Sequence, residues 1–243
     1  MTDKLEANWD TWDYGSREPL FLPLSEFTER EKDLLIKSNT FCMLPWIHIH
    51  GYPDGKAYPC CLADYNHPVG SLKENTMEEV WRDKPMQQMR ENMLADKPCV
   101  ECTKCYEQEK TGFFSMRNSS NQTFGHHIKE TLTSDKLKIR YYDIRFSNLC
   151  NFSCRSCGDI FSSNWTKEYK EYGWLPKDHP NVTYAGRFKT DIWEQTLPHV
   201  PYFQEVYFAG GEPLMMQEHW DLLDELIKQG RTDVKLVYNT NFS

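Results

Sequence analysis

Long apolar runs are missing from this sequence of 243 residues. No stretch approaches the length of about 18 apolar residues that a membrane-spanning helix needs, so we expect no membrane span. The first 30 residues also lack a basic and then apolar leader, which favours a cytoplasmic protein. Basic residues are the minority, with 28 Lys and Arg against 36 Asp and Glu. Because no Lys/Arg stripe could face phosphates, we expect no nucleic-acid partner.

Evenly spaced cysteines, which would indicate a disulfide framework, are also missing, although cysteine itself is abundant. The nine cysteines are odd in number and stand in close groups along the chain. In a reducing compartment, such groups are typical of metal ligands or catalytic thiols. Length and an aromatic content of 14% are sufficient for a folded core. The cysteine groups are therefore the first place to look for function.

The first 40 residues, 1–40, are predicted to be a polar lead that ends in a short helix. Ser25 is a suitable N-cap for that helix, which we expect to continue through Lys37. This segment carries no cysteine and no recognisable chemical motif.

A second unit is predicted over residues 41–130 and begins with a β-hairpin. Alternating side chains over 46–50 favour a strand, and Pro53-Asp54-Gly55 favours a turn because proline presets φ and glycine tolerates a positive φ. A return strand over 56–59 would bring Cys60 back toward Cys42.

A helix is predicted to follow the hairpin, from Thr76 to about Ala95. Thr76 and Glu79 have the spacing of a capping box, in which each side chain bonds the other residue's backbone N–H. Pro98 ends any continuation of the helix, and the triplet Cys99-x-x-Cys102-x-x-Cys105 comes next.

The pattern changes to alternating strands and helices over residues 136–243. Three apolar runs favour strands, at 138–148, 205–209 and 234–238. Helices are expected at 161–172, 191–203 and 217–229, the last with a buried face of Trp220, Leu223, Leu226 and Ile227. Such alternation is typical of an α/β fold with parallel strands and right-handed crossovers.

The motif Cys150-x3-Cys154-x2-Cys157 comes directly after the first of these strands. Three thiolates at this spacing can bind three irons of a [4Fe–4S] cluster and leave the fourth iron open to a ligand. A zinc site or a redox loop is the alternative that the residues alone leave open.

This motif resembles the signature of the radical S-adenosylmethionine (SAM) enzymes. The resemblance implies that Cys150, Cys154 and Cys157 hold a [4Fe–4S] cluster whose fourth iron is chelated by SAM, at the top of a (βα) barrel. One position departs from the pattern, because Ser156 stands where the family usually has an aromatic residue.

A second motif strengthens the resemblance. It lies at the end of the second predicted strand, where the family's GGEP motif contacts the SAM amino group. Glycines allow the backbone to approach a ligand closely, and a carboxylate can accept hydrogen bonds from an ammonium group. The implied SAM-binding residues are Gly210, Gly211, Glu212 and Pro213, together with Asn241 at the end of the third strand.

The N-terminal cysteines resemble a twitch domain, the shorter relative of the SPASM extension. In that family the region binds an auxiliary [4Fe–4S] cluster. The implied ligands are Cys42, Cys60, Cys102 and Cys105. Cys61 and Cys99 are spare, and Cys61 could exchange with Cys60. A zinc site on the same four thiolates stays open as an alternative, since tetrahedral zinc accepts four cysteines. We expect His48 and His50 to be solvated or packed rather than ligands.

Together, the two resemblances imply an α/β chain with a partial parallel (βα) radical SAM barrel over 136–243. A small N-terminal α+β twitch-like Fe–S domain precedes it, although this extension follows the barrel in better-known members. Three strands are too few to close a barrel. The remaining strands would come from a second chain, or the chain is a fragment without turnover.

The implied reaction is the reductive cleavage of SAM to a 5′-deoxyadenosyl radical, which abstracts hydrogen from a substrate. The implied partners are an electron donor such as flavodoxin or ferredoxin and a peptide or protein substrate. Two other classes compete with this interpretation. One is a non-enzymatic iron–sulfur electron carrier or zinc module, which would not bind SAM. The other is a thiol oxidoreductase that uses Cys102 and Cys105, which is disfavoured because this pair lacks a thioredoxin-like βαβ context.

Overall fold

A computed structural model of the chain describes residues 22–243 and contains one six-stranded sheet. The predicted polar lead therefore lies largely outside the described residues. The strands are β1 (His50–Gly51), β2 (Lys56–Tyr58), β3 (Gly70–Ser71), β4 (Tyr141–Ile144), β5 (Glu205–Phe208) and β6 (Lys235–Tyr238). Their order in the sheet is β3-β2-β1-β4-β5-β6.

Helices and helical turns connect these strands. The helices are α1 (Glu29–Lys32), α2 (Leu44–Ile47), α3 (Met77–Arg82), α4 (Lys84–Leu94), α5 (Thr103–Lys110), α6 (Met116–Phe124), α7 (Ile128–Thr133), α8 (Ser163–Glu171), α9 (Asp191–Thr196) and α10 (Gln217–Lys228). Within the described chain, no helix is both long and apolar enough to cross a membrane.

The sheet is mixed but mostly parallel. Strands β4, β5 and β6 pair in parallel, as their alternation with helices predicts. The hairpin strands β1 and β2 pair antiparallel, and β1 also pairs in parallel with β4. The predicted α/β class is confirmed. No local sequence pattern indicates that the cysteine-bearing hairpin joins the same sheet as the later strands.

One apolar core underlies both halves of the chain. It combines side chains from the hairpin and early helices with side chains from β4, β5 and the later helices. The largest fully buried ones include Phe41, Tyr58, Met86, Tyr142 and Phe203. Burial of this apolar surface, at about 25 cal/mol per Å², is the main force that holds the two halves together.

The capping box at Thr76 is confirmed, but the single helix predicted after it is wrong. Thr76 donates its backbone N–H to Glu79 at 2.7 Å, and Glu79 donates its N–H to the Thr76 hydroxyl at 3.2 Å. The helix then breaks at Asp83, which has an extended ψ of 159°. Pro85 explains the break, because proline in a continuous helix would clash with the carbonyl of Trp81.

Three other local predictions are corrected by the structure. The first covers residues 46–50, where a strand was expected. Leu44–Ile47 is instead one turn of helix with proline in its first turn, and the strand is limited to His50–Gly51. Pro45 explains this, since its fixed φ suits a helix start.

The second correction concerns the first helix. Thr28, not Ser25, is its N-cap, because Thr28 and Glu31 form a reciprocal capping box. The third concerns α10, where Trp220 and Ile227 were expected to be buried but are 48% and 70% exposed. Leu226 is buried as predicted.

Candidate functional sites

The structure brings four cysteines of the N-terminal half around one cavity. The thiols are those of Cys42, Cys60, Cys102 and Cys105. Apolar side chains and two charged residues complete the lining, namely Leu44, Leu62, Met116, Glu101 and Arg117. These are the four positions that the twitch resemblance implies as ligands.

Each of these cysteines lies in or next to a short helix, helical turn or strand that positions it at the cavity. Cys42 precedes α2, and Cys60 follows β2, so the hairpin brings them together as the sequence predicts. Cys102 ends a 3₁₀ turn, and Cys105 lies in the first turn of α5.

The backbone around Cys42 is held on both sides by one side chain. Asn121 accepts from the N–H of Met43 at 2.9 Å and donates to the carbonyl of Phe41 at 2.9 Å. Asn121 is buried and lies on α6. Asn121 therefore holds the backbone on both sides of Cys42.

Arg117 forms a second tie between the cavity wall and the chain before Cys42. Its guanidinium donates to the carbonyls of Ser38 and Phe41 at 2.9 and 3.1 Å. The carboxylate of Glu109 accepts from Nε of Arg117 at 2.9 Å, and the hydroxyl of Ser115 also donates to it. The segment that follows the last cysteine pair thus braces the site.

Burial raises the pKa of all four cavity thiols. It raises the pKa of Cys42 to about 12, and the pKa values of Cys60, Cys102 and Cys105 also lie above the ordinary thiol value. Thiols in such a setting are protonated at neutral pH unless a metal takes the place of the proton. A four-thiol donor set in an apolar pocket suits an iron–sulfur cluster.

The two spare cysteines, Cys61 and Cys99, do not line this cavity. Burial raises the pKa of the Cys61 thiol to about 12, and the charge of Asp143 raises it further. The thiol of Cys99 is 3.7 Å from the carbonyl of Met89. Over residues 22–243, no group of three or more His, Cys, Asp or Glu side chains is placed to hold a single metal ion.

The second candidate site lies where three parallel strands end. Cys150 follows β4, Glu212 follows β5 and Asn241 follows β6. The amide nitrogen of Asn241 is 3.8 Å from the sulfur of Cys150. The structure therefore brings these residues together at the carboxyl edge of the sheet, the usual ligand position in open α/β sheets.

Gly210 and Gly211 allow a close crossing of two chain segments. A Cβ on Gly211 would lie 2.4 Å from the carbonyl oxygen of Leu149, and one on Gly210 would lie 2.5 Å from Cβ of Arg145. Both glycines have a positive φ. The N–H of Glu212 then donates to the Leu149 carbonyl at 2.7 Å. Glycine is thus required here for packing against the residue that precedes Cys150.

The carboxylate of Glu212 is buried and held in place. It accepts hydrogen bonds from the N–H of Leu214 at 3.1 Å, the N–H of Asn241 at 2.7 Å and the hydroxyl of Thr240. Pro213 begins a 3₁₀ turn next to it. Thr240, next to Asn241 in the sequence, thus has a defined contact with this carboxylate.

The three cysteines of this second site differ in exposure. Cys150 is half-buried, while Cys154 and Cys157 are exposed. Partial burial raises the pKa of the Cys150 thiol, and the charges of Glu212, Cys154 and Cys157 raise it further. Three thiols in a surface loop beside a buried carboxylate fit a cluster with one open iron better than a closed four-ligand site.

A buried polar group between the two sites was missed in the sequence. His50 and Asp143 are fully buried and lie 3.0 Å apart, from Nδ1 to Oδ2. The atoms are at ion-pair distance without hydrogen-bond alignment. His48, expected to be solvated or packed, is fully buried with its Nδ1 2.7 Å from the carbonyl of Tyr141. The alternation of histidines was the available signal, but its partner on β4 is 93 residues away.

The comparisons with known proteins support one of the two sites. Residues 42–106 match the SPASM family, described as an iron-sulfur cluster-binding domain. This segment contains all four cavity cysteines and points to iron–sulfur binding. Neither the curated proteins nor the solved structures yielded a match to the chain.

Proposed function

We propose that this chain is a radical SAM enzyme. Cys150, Cys154 and Cys157 would hold a [4Fe–4S] cluster with one open iron. Cys42, Cys60, Cys102 and Cys105 would hold an auxiliary [4Fe–4S] cluster. The single observation that supports the enzyme most is the meeting of the Cys150 sulfur, the Glu212 carboxylate and the Asn241 amide at the ends of three parallel strands.

A [4Fe–4S] cluster with an open iron supplies the electron with which radical SAM enzymes cleave SAM for hydrogen abstraction. The chain's own residues would bind and orient SAM. Three donors of the protein itself, the N–H groups of Leu214 and Asn241 and the hydroxyl of Thr240, hold the Glu212 carboxylate in place. A buried carboxylate with spare lone pairs can accept charge-assisted hydrogen bonds from the SAM ammonium group.

The fold is consistent with part of a (βα) barrel, and the wider assignments belong to the same proposal. Strands β4, β5 and β6 would be the first three strands of that barrel. We propose flavodoxin or ferredoxin as the electron donor and a peptide or protein as the substrate. Cytoplasmic location would suit a protein whose cysteines must stay reduced.

An iron–sulfur module without SAM cleavage is the second candidate. The family match favours this candidate because the matched segment, 42–106, contains the auxiliary-site cysteines but neither Cys150 nor Glu212. Such a module would bind iron at the auxiliary site and would not depend on Glu212.

The test is SAM cleavage after anaerobic reconstitution with iron and sulfide. Dithionite and SAM are added, and 5′-deoxyadenosine is quantified for wild type, Cys157→Ala and Glu212→Gln. Cys99→Ala is the matched control, because its thiol lies outside both sites. We expect deoxyadenosine from wild type and the control, at least tenfold less from Glu212→Gln and none from Cys157→Ala. Unchanged cleavage by Cys157→Ala, or none by iron-loaded wild type, would contradict the enzyme.

A further inference from the structure

The first turn of α8 is hydrogen-bonded to the cysteine loop almost residue by residue. Four consecutive side chains each donate to a different loop carbonyl. The contacts are Ser162 Oγ to Phe152 at 2.6 Å, Ser163 Oγ to Cys150 at 3.0 Å, Asn164 Nδ2 to Asn151 at 2.6 Å and Trp165 Nε1 to Cys154 at 2.8 Å.

Further bonds hold the ends and the middle of the same loop. The N–H of Ser163 donates to the carbonyl of Asn148 at 2.7 Å. The hydroxyl of Ser153 donates to Glu168 at 2.5 Å, one turn further along α8. The protein itself thus supplies hydrogen bonds along the length of this loop.

Among the described residues, most N–H groups of the cysteine loop lack the hydrogen-bond partners that its carbonyls have. Counting only partners within the described chain, five N–H groups of the loop have none, those of Asn151, Ser153, Cys154, Arg155 and Ser156. The sulfur atoms of an anionic cluster accept hydrogen bonds, and unpaired N–H groups beside three thiols can donate them. Such hydrogen bonds raise a cluster's reduction potential, because they stabilise its more negative, reduced form.

We propose, as an extension of the proposed function, that Trp165 is a positioning residue that sets the reduction potential of the Cys150–Cys154–Cys157 cluster. Its indole N–H holds the carbonyl of Cys154, and this fixes the peptide plane that also carries the N–H of Arg155. With that carbonyl held toward α8, the Arg155 N–H stays available to the cluster.

Trp165 is the most informative of the four side chains to change. Cys154 is exposed, and its carbonyl has one other donor in the described chain, the N–H of Cys157 at 3.0 Å. Phenylalanine at 165 keeps an aromatic ring for the contact with Tyr169, whose ring centroid is 5.4 Å away. The substitution Trp165→Phe therefore removes the donor and leaves the packing.

The experiment is an anaerobic redox titration followed by electron paramagnetic resonance, on the reconstituted full chain. The signal that changes on adding SAM identifies the cluster in question. The matched control is Trp174→Phe, because Trp174 is 70% exposed and its side-chain contacts among the described residues are with the rings of Tyr169 and Tyr172. We expect Trp165→Phe to keep wild-type iron content and to shift the midpoint potential of this signal to a more negative value, while the control leaves it unchanged.

Each outcome decides between positioning and a general structural role. An unchanged potential in Trp165→Phe overturns the proposal, and so does a loss of all iron with altered circular dichroism. Loss of iron from this cluster alone, with the auxiliary cluster intact, also overturns it, because Trp165 would then hold the loop together rather than set the potential. If wild type has no SAM-responsive signal, the proposed function itself fails and the inference falls with it.

Discussion

His50 and Asp143 face each other across two parallel strands, with 3.0 Å between Nδ1 and Oδ2 and no exposure to solvent. Burial opposes the charge of Asp143, but His50, Arg145 and His48 hold its pKa below the ordinary value. The pair connects β1, which belongs to the cysteine-bearing hairpin, to β4, which leads into Cys150. The two candidate sites are therefore joined through a buried polar contact as well as through the sheet.

We expect acid to destabilise the protein before its carboxylates are protonated. Burial lowers the pKa of His48 from 6.5 to about 4. Between these pH values, His48 binds a proton in the unfolded chain but not in the folded chain. The free energy of unfolding therefore falls as the pH drops from 6.5 to about 4. A shift of this size corresponds to about 3 kcal/mol. Urea unfolding of the reduced apoprotein at several pH values measures it.

The variant His48→Gln tests the assignment of this pH dependence. Its free energy of unfolding should fall less steeply between pH 6.5 and 4 than that of wild type. Other histidines whose pKa is lowered by burial, such as the half-buried His127, should account for the remaining slope. His67→Gln is the control, since His67 is exposed. An identical slope in His48→Gln and wild type would contradict the prediction.

Removing the Asn121 side chain should destabilise the chain around Cys42. The substitution Asn121→Ala leaves the N–H of Met43 buried without its acceptor, which costs about 1–3 kcal/mol. Gln122→Ala is the matched control on the same helix, because Gln122 is only half-buried. Urea unfolding of both variants measures the difference. Equal stability of the two would show that Asn121 does not brace Cys42.

Two glycines with a positive φ separate the effect of backbone strain from that of a close contact. Alanine at Gly230, where no atom lies near the new Cβ, should cost about 1 kcal/mol from strain alone. Alanine at Gly211 adds a clash with the carbonyl of Leu149 and should cost about 3 kcal/mol.

Thermal unfolding of Gly211→Ala and Gly230→Ala measures this difference. The Gly211 variant should also lose iron from the Cys150 loop, because the clash displaces the residue before Cys150. If the two variants melt at the same temperature, Gly211 is not a packing requirement.

Much of the fold follows from local sequence signals. The capping box at Thr76, the turn at Pro53–Gly55 and the strand–helix alternation after residue 136 depend on residues close in the chain, and the structure contains them. Proline effects were underestimated, as the break before Pro85 shows. Pairing of β1 with β4 joins positions 93 residues apart, and no local pattern encodes it.

In the candidate sites too, contacts between residues close in the chain could be predicted from the sequence, and contacts made only by the fold could not. The spacing of Cys42 and Cys60 around a turn predicts that they meet, and both line the cavity. The hydrogen bonds from α8 to the cysteine loop could not be predicted, because serine, asparagine and tryptophan at a helix start are ordinary residues. Only the fold shows that each of them reaches a carbonyl of the loop.

The cavity geometry predicts which N-terminal cysteine substitutions cost iron. Cys102→Ala should lose about four irons per chain after reconstitution, because one ligand of the auxiliary cluster is gone. Cys61→Ala should keep them, since Cys61 does not line the cavity. Iron and acid-labile sulfide analysis measures both. A loss from Cys61→Ala equal to that from Cys102→Ala would place Cys61 among the ligands.

The most direct test of two separate clusters is the iron content of wild type against a triple variant, Cys150→Ala/Cys154→Ala/Cys157→Ala. After anaerobic reconstitution, wild type should bind about eight irons per chain and the variant about four. The variant should also have lost all cleavage of SAM. A triple variant that keeps the full iron content of wild type would contradict the account.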